Sequence, residues 1–140
     1  MHDYTMATIN AVRQADLDAL RMLHAEGHGM NACNKFAESL VHMAGRSGNC
    51  AVMEFLIDCT GPEGLTICDD YGRTPLHDAC WATEPCFDLV SFILDHDSSM
   101  LMVVDRRGYT PLSYVKRDQW GAWHAFIDAV KDKYWPTLQG

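Results

Sequence analysis

Seven histidines and six cysteines, the latter at 33, 50, 59, 68, 80 and 86, are the side chains of this 140-residue sequence best suited to base, nucleophile or metal-ligand chemistry. His24 and His28 stand four apart with Cys33 soon after, a spacing that suits the corner of a zinc site. Gly27 is expected to end a helix between the two histidines and no clear fourth ligand follows, so no metal is expected. Asp95-His96-Asp97 sets two carboxylates beside an imidazole, but it reads as the polar end of a helix. His42 and His77 need a neighbouring nucleophile or carboxylate to act as bases, and the residues around them supply none. The phosphate-cradling G-x-x-x-x-G-K-[ST], the nucleophile elbow G-x-S-x-G and the zinc-binding H-E-x-x-H are absent. The sequence argues against an enzyme, and no cofactor or small-molecule substrate is expected.

The elements that hold these residues recur. Asp69-Asp70-Tyr71-Gly72-Arg73-Thr74-Pro75-Leu76-His77-Asp78-Ala79-Cys80 returns as Asp105-Arg106-Arg107-Gly108-Tyr109-Thr110-Pro111-Leu112-Ser113. A looser copy runs from Asn34 through Ala37, Ser39, His42 and Ala44. Thr74 to Thr110 is 36 positions and Ser39 to Thr74 is 35, a period that signals stacked repeats. Within each copy Gly72 supplies the positive φ of a tight turn, Thr74 is a helix N-cap, and Pro75 takes the first helical position where its missing N–H costs nothing. Leu76, Ala79 and Cys80 then give the short helix an apolar face.

The turn, the Thr-Pro-Leu-His-x-Ala run and the period together resemble the ankyrin repeat, well over residues 34 to 130 and by pattern alone before that. The resemblance implies an all-α ankyrin-repeat solenoid of about four helix-turn-helix units with β-hairpin loops. It also supports reading His42 and His77 as imidazoles that hydrogen-bond neighbouring backbone and tie one unit to the next. The expected units are an N-terminal cap over 1–32, repeats over 33–67 and 68–103, a C-terminal cap over 104–134 and a tail over 135–140. Cys33 and Cys68 are equivalent positions about 8–10 Å apart, too far to bridge, and all six cysteines read as thiols.

Residues 4 to 26 hold two helical patterns: Met6, Ile9, Ala11 and Val12 in the first, then Leu17, Leu20, Leu23 and His24 facing inward from an Asp16 start. Asp18, Arg21 and Glu26 give this cap a polar outer side. The second unit has helices at Leu40–Ser47 and Cys50–Cys59, the latter burying Val52, Phe55, Leu56 and Cys59. Ala37 stands in place of the turn glycine, so that hairpin tip is expected to be distorted. In the third unit Ala82-Thr83-Glu84-Pro85 holds about two extra residues and should project, before a helix from Phe87 to His96 that buries Val90, Ile93 and Leu94. The fourth has a short helix from Pro111 and a closing helix from about Gln119 to Tyr134, with Trp120, Trp123, Ile127, Val130 and Tyr134 at helical spacing.

Nineteen acids against eleven bases give a net charge of −8. Ankyrin proteins are expected to hold partners on their hairpin tips and the exposed side of each first helix. Carried onto this chain, that face comprises Arg13, Lys35, Phe36, Arg46, Tyr71, Arg73, Trp81, Arg106, Arg107, Tyr109, Lys116 and Arg117 as binding residues. Eight of the eleven bases fall there, with only Glu38 and Asp70 among the acids. A basic, aromatic groove in an acidic body suits an acidic segment of a partner protein, while the overall charge disfavours nucleic acid. No apolar run approaches the roughly 18 residues that span a bilayer, and Met1-His2-Asp3-Tyr4 lacks a signal-peptide pattern. A cytoplasmic or nuclear location is expected. The leading expectation is a recognition scaffold without catalysis; the alternative is a structural subunit held in a larger assembly through its Trp-rich closing helix.

Overall fold

The computed structural model describes residues 5–136, so the opening Met1–Tyr4 and the last four residues of the tail lie outside the described part. Seven α-helices occur there: α1 (Met6–Arg13), α2 (Leu17–Ala25), α3 (Leu40–Ser47), α4 (Cys50–Thr60), α5 (Pro75–Trp81), α6 (Phe87–His96) and α7 (Trp120–Tyr134). Short 3-10 turns at Pro62–Leu65, Ser98–Met102, Pro111–Tyr114 and Arg117–Gln119 complete the chain. Helices α1, α3 and α5 and the Pro111–Tyr114 turn pack side by side as one layer; α2, α4, α6 and α7 form the second. This is an all-α solenoid of four units.

Each inner helix begins the same way. Thr5, Ser39 and Thr74 are N-caps in extended backbone, and the third helical residue reaches back to the cap: Thr8, His42 and His77. The fourth unit repeats it as Thr110 and Ser113, 3.2 Å apart, although only a single 3-10 turn follows. Leu20, Leu40, Met53, Leu56, Leu76, Val90 and Ile93 fill the space between the layers and are fully buried. Each contributes roughly 1.5–3 kcal/mol by leaving water. Gly45 marks the closest approach of two helices: a Cβ there would lie 2.8 Å from the Pro75 carbonyl oxygen.

Several expectations need correcting. His24 is exposed rather than inward, turning its ring edge to Phe55. On α4, Met53 and Ile57 join Val52 and Leu56 in the core, while Phe55 and Cys59 are only half-buried. The α7 residues read at helical spacing do lie on that helix, with Trp123 buried, Trp120 57% exposed and Val130 and Tyr134 half-buried. The Ala82–Pro85 loop projects only in part: Thr83 and Glu84 are exposed, but Ala82 is buried and the Thr83 carbonyl accepts from the Gln119 amide. The tip at Ala37 keeps its shape because the alanine itself adopts φ 63°, the left-handed conformation that glycine adopts at Gly72. Among the described residues the loops hold one isolated bridge, Cys33 with Ser39, and no strand.

Candidate functional site

The fingertips between units are built by one acidic or amide side chain each. Asn34 Oδ1 accepts from the backbone N–H of Phe36 and Glu38, Asp69 Oδ1 from Tyr71 and Arg73, and Asp105 Oδ1 from Arg107 and Tyr109, all at 2.9–3.0 Å. These closed turns aim the next side chains outward. Neighbouring tips are then joined through backbone: Asp70 N–H donates to the Phe36 carbonyl and Arg106 N–H to the Tyr71 carbonyl, both at 2.9 Å. Behind the tips, His42 Nε2 lies 2.8 Å from the Arg73 carbonyl and His77 Nε2 3.0 Å from the Tyr109 carbonyl, with each Nδ1 bonded to its own cap. The two imidazoles do tie unit to unit, as read from the sequence. Burial holds both below the ordinary imidazole pKa, so they are neutral at pH 7.

On this frame the bases lie over rings. Lys35 sits over Phe36 (5.2 Å), Arg46 over Trp81 (5.9 Å), Arg73 over Tyr71 (5.0 Å), Arg107 over Tyr109 (6.0 Å) and Arg117 over Trp120 (5.6 Å). Each such pair is worth about 0.5–1 kcal/mol when exposed, enough to hold a guanidinium in place while its edge stays available. Phe36, Tyr71, Trp81 and Tyr109 remain 41–50% exposed. Tyr114 joins the row, 6.4 Å from both Trp81 and Tyr109.

The twelve sequence-derived residues are not equivalent. Arg73 is spent internally, 2.9 Å from the buried Asp69 carboxylate and 3.8 Å from Glu38. Arg46 shares Glu38 at 3.6 Å, which places Arg46 and Arg73 on one side of the molecule. Lys116 reaches only the Thr83 hydroxyl, at 3.5 Å. Among the described residues Lys35, Arg106, Arg107 and Arg117 form no ion pair; all four are exposed, as is Arg13 at the far end of α1. The charge that remains open therefore concentrates on the fingertips and the last unit.

Asp78 escaped the sequence reading. It is 1% exposed, its Oδ2 has no hydrogen-bond partner, and burial pushes its carboxyl up to about 7 against the pull of Arg46 and Arg73. The same helical position holds Ile9 in α1 and Met43 in α3, so alignment of the units was the signal available. Among the described residues no three His, Cys, Asp or Glu side chains gather as a metal site, and none of the helices is long and apolar enough to cross a membrane.

A family model for ankyrin repeats in three copies matches residues 8–100. The chain belongs to the ankyrin-repeat family. Such repeats mediate contacts between proteins and are generally non-catalytic. Diacylglycerol kinase zeta of Rattus norvegicus is 28% identical over 111 residues, 79% of this ankyrin chain. The match spans 12% of that protein's length, so the kinase named there is a property of the rat protein.

Proposed function

We propose that the fingertips and inner helices form a docking face for an acidic segment of a partner protein, with no bond made or broken. The observation that supports this most is that Lys35, Arg107 and Arg117, which form no ion pair among the described residues, are held over aromatic rings in a chain of net charge −8. Carboxylates of a partner meet pre-placed guanidinium edges there, and complementary charge speeds encounter. Neither Asp69 nor Asp105 opposes them, because both acids are buried and engaged by backbone N–H groups. The six cysteines, read as thiols, favour a reducing compartment, cytoplasmic or nuclear.

The reading that the Trp-rich helix fixes the chain permanently in an assembly has less support. Trp123 packs against Phe87 at 5.1 Å, Phe126 stacks on Phe87 at 4.6 Å, and Trp135, just past the helix, donates to the Ser98 carbonyl, which leaves Trp120 as the exposed aromatic of that helix. Fluorescence anisotropy with a labelled Glu-rich peptide tests the docking face. Arg107→Glu is expected to weaken binding about fivefold, and added salt to weaken it further, while the melting temperature stays put. Unchanged affinity in the charge-reversed chain rules the face out.

A further inference from the structure

Beside the last unit lies a depression of about 420 Å³ walled by Leu112, Val115, Trp120, Trp123, His124 and Ile127. Its size falls in the range of small-ligand pockets, roughly 300–1,000 Å³. Leu112 is 37% and Trp120 57% exposed, so apolar surface stays in contact with water at its mouth. Trp123 packs into the wall with 3% exposure, and its buried indole nitrogen has no hydrogen-bond partner among the described residues. The indole of Trp120, by contrast, donates to the Val115 carbonyl.

One cation is placed at the mouth: the Arg117 guanidinium lies 5.6 Å over the Trp120 ring. The Pro111–Tyr114 turn packs on α5 and carries both Leu112, at the depression, and Tyr114, in the aromatic row. An occupant must therefore bring an apolar side chain and negative charge beside it. Resting on the docking-face reading above, we infer that this pocket anchors one bulky apolar residue of the same acidic segment. Arg117, held over the Trp120 ring, then meets the flanking carboxylates. Specificity follows: acidic stretches bind weakly, and those with an apolar residue in register bind well.

The test uses two short peptides of Glu, Ser and Gly that differ only in a central Leu or Ala. Against the full chain the Leu peptide is expected to bind about tenfold tighter, the yield of burying one such side chain in part. Leu112→Arg, which fills the pocket and adds a positive charge, is expected to erase that advantage while the Ala peptide binds as before or better. Trp120→Ala is a second route to the same loss should Leu112→Arg melt early, with circular dichroism confirming the fold of each. Equal affinities for the two peptides in the unaltered chain overturn the inference, as does a Leu advantage that survives both folded variants. So does light scattering that shows a dimer which Leu112→Arg dissolves, for a second copy then owns the pocket. Arg107→Glu separates the two readings: if it weakens both peptides while Leu and Ala stay indistinguishable, the docking face stands and the anchor falls. If it weakens neither, the docking face falls as well.

Discussion

The junction between α3 and α5 and the one between α1 and α3 are built on the same plan, yet among the described residues only the first has a capping side chain that reaches the next unit. His42 spans from its cap at Ser39 to the Arg73 carbonyl of the next unit, whereas Thr8, in the same position, bonds to Thr5 and reaches no further. A threonine satisfies the helix start; an imidazole satisfies it and still has a second nitrogen for the neighbour. The capping bond is therefore the common requirement, and the link between units is an addition made where the capping side chain is long enough to reach the next finger. The cap at Ser113 fits this rule, being a hydroxyl with the local bond alone.

The largest effect should come from removing the link itself. His42→Ala deletes a fully buried side chain with bonds to Ser39 and Arg73 and is expected to cost about 3 kcal/mol, against about 1 kcal/mol for Thr8→Ala. Urea unfolding of both variants checks this, and equal losses would dissolve the contrast between the junctions. Next comes Gly45→Ala. Glycine to alanine inside a helix normally stabilises by about 0.5–1 kcal/mol, but here the new methyl meets the Pro75 carbonyl at 2.8 Å and about 2 kcal/mol should be lost.

The α3–α5 junction also carries a pH signature. Burial raises the Asp78 carboxyl to about 7, so the folded chain keeps a proton that the unfolded chain releases near 4. Stability contributed by the neutral acid is complete at low pH, declines as pH climbs through that window, and is gone above it. Asp78→Asn should flatten that slope and raise stability by roughly 2 kcal/mol at pH 8, with little change at pH 4. His42 and His77 act in the opposite sense: both are held neutral by burial, so their contribution falls as pH drops below about 6.5. Thermal melts across pH 4–8 resolve the two slopes. The smallest effect is expected at Ala37, where glycine should relieve the left-handed backbone and stabilise by about 1 kcal/mol.

Much of this was legible before any coordinates. Thr74-Pro75 announced the start of α5, the return of His at 42 and 77 announced the ties between units, and the fingertip bases were visible as a set. Burial of individual side chains was less so. On α4 both Phe55 with Cys59 and Met53 with Ile57 keep helical spacing with Val52 and Leu56, and only the positions of α2 and α6 decide which pair faces in. Asp78 was missed for a related reason: between His77 and Ala79 a charged residue reads as solvent-facing, and its burial exists only because α3 lies alongside. The pairing of Arg73 with Glu38 likewise depends on where the preceding unit sets that carboxylate.

The backbone bonds from Asp70 to Phe36 and from Arg106 to Tyr71 have a consequence for variation. Because main chain grips main chain, the spacing of the tips owes nothing to the side chains they display. Lys35, Phe36, Tyr71, Arg106 and Arg107 can be exchanged wholesale while the rungs beneath them stay put. A randomised library at those five positions should yield folded members with new specificities at high frequency, making the chain an evolvable grip whose handle never changes.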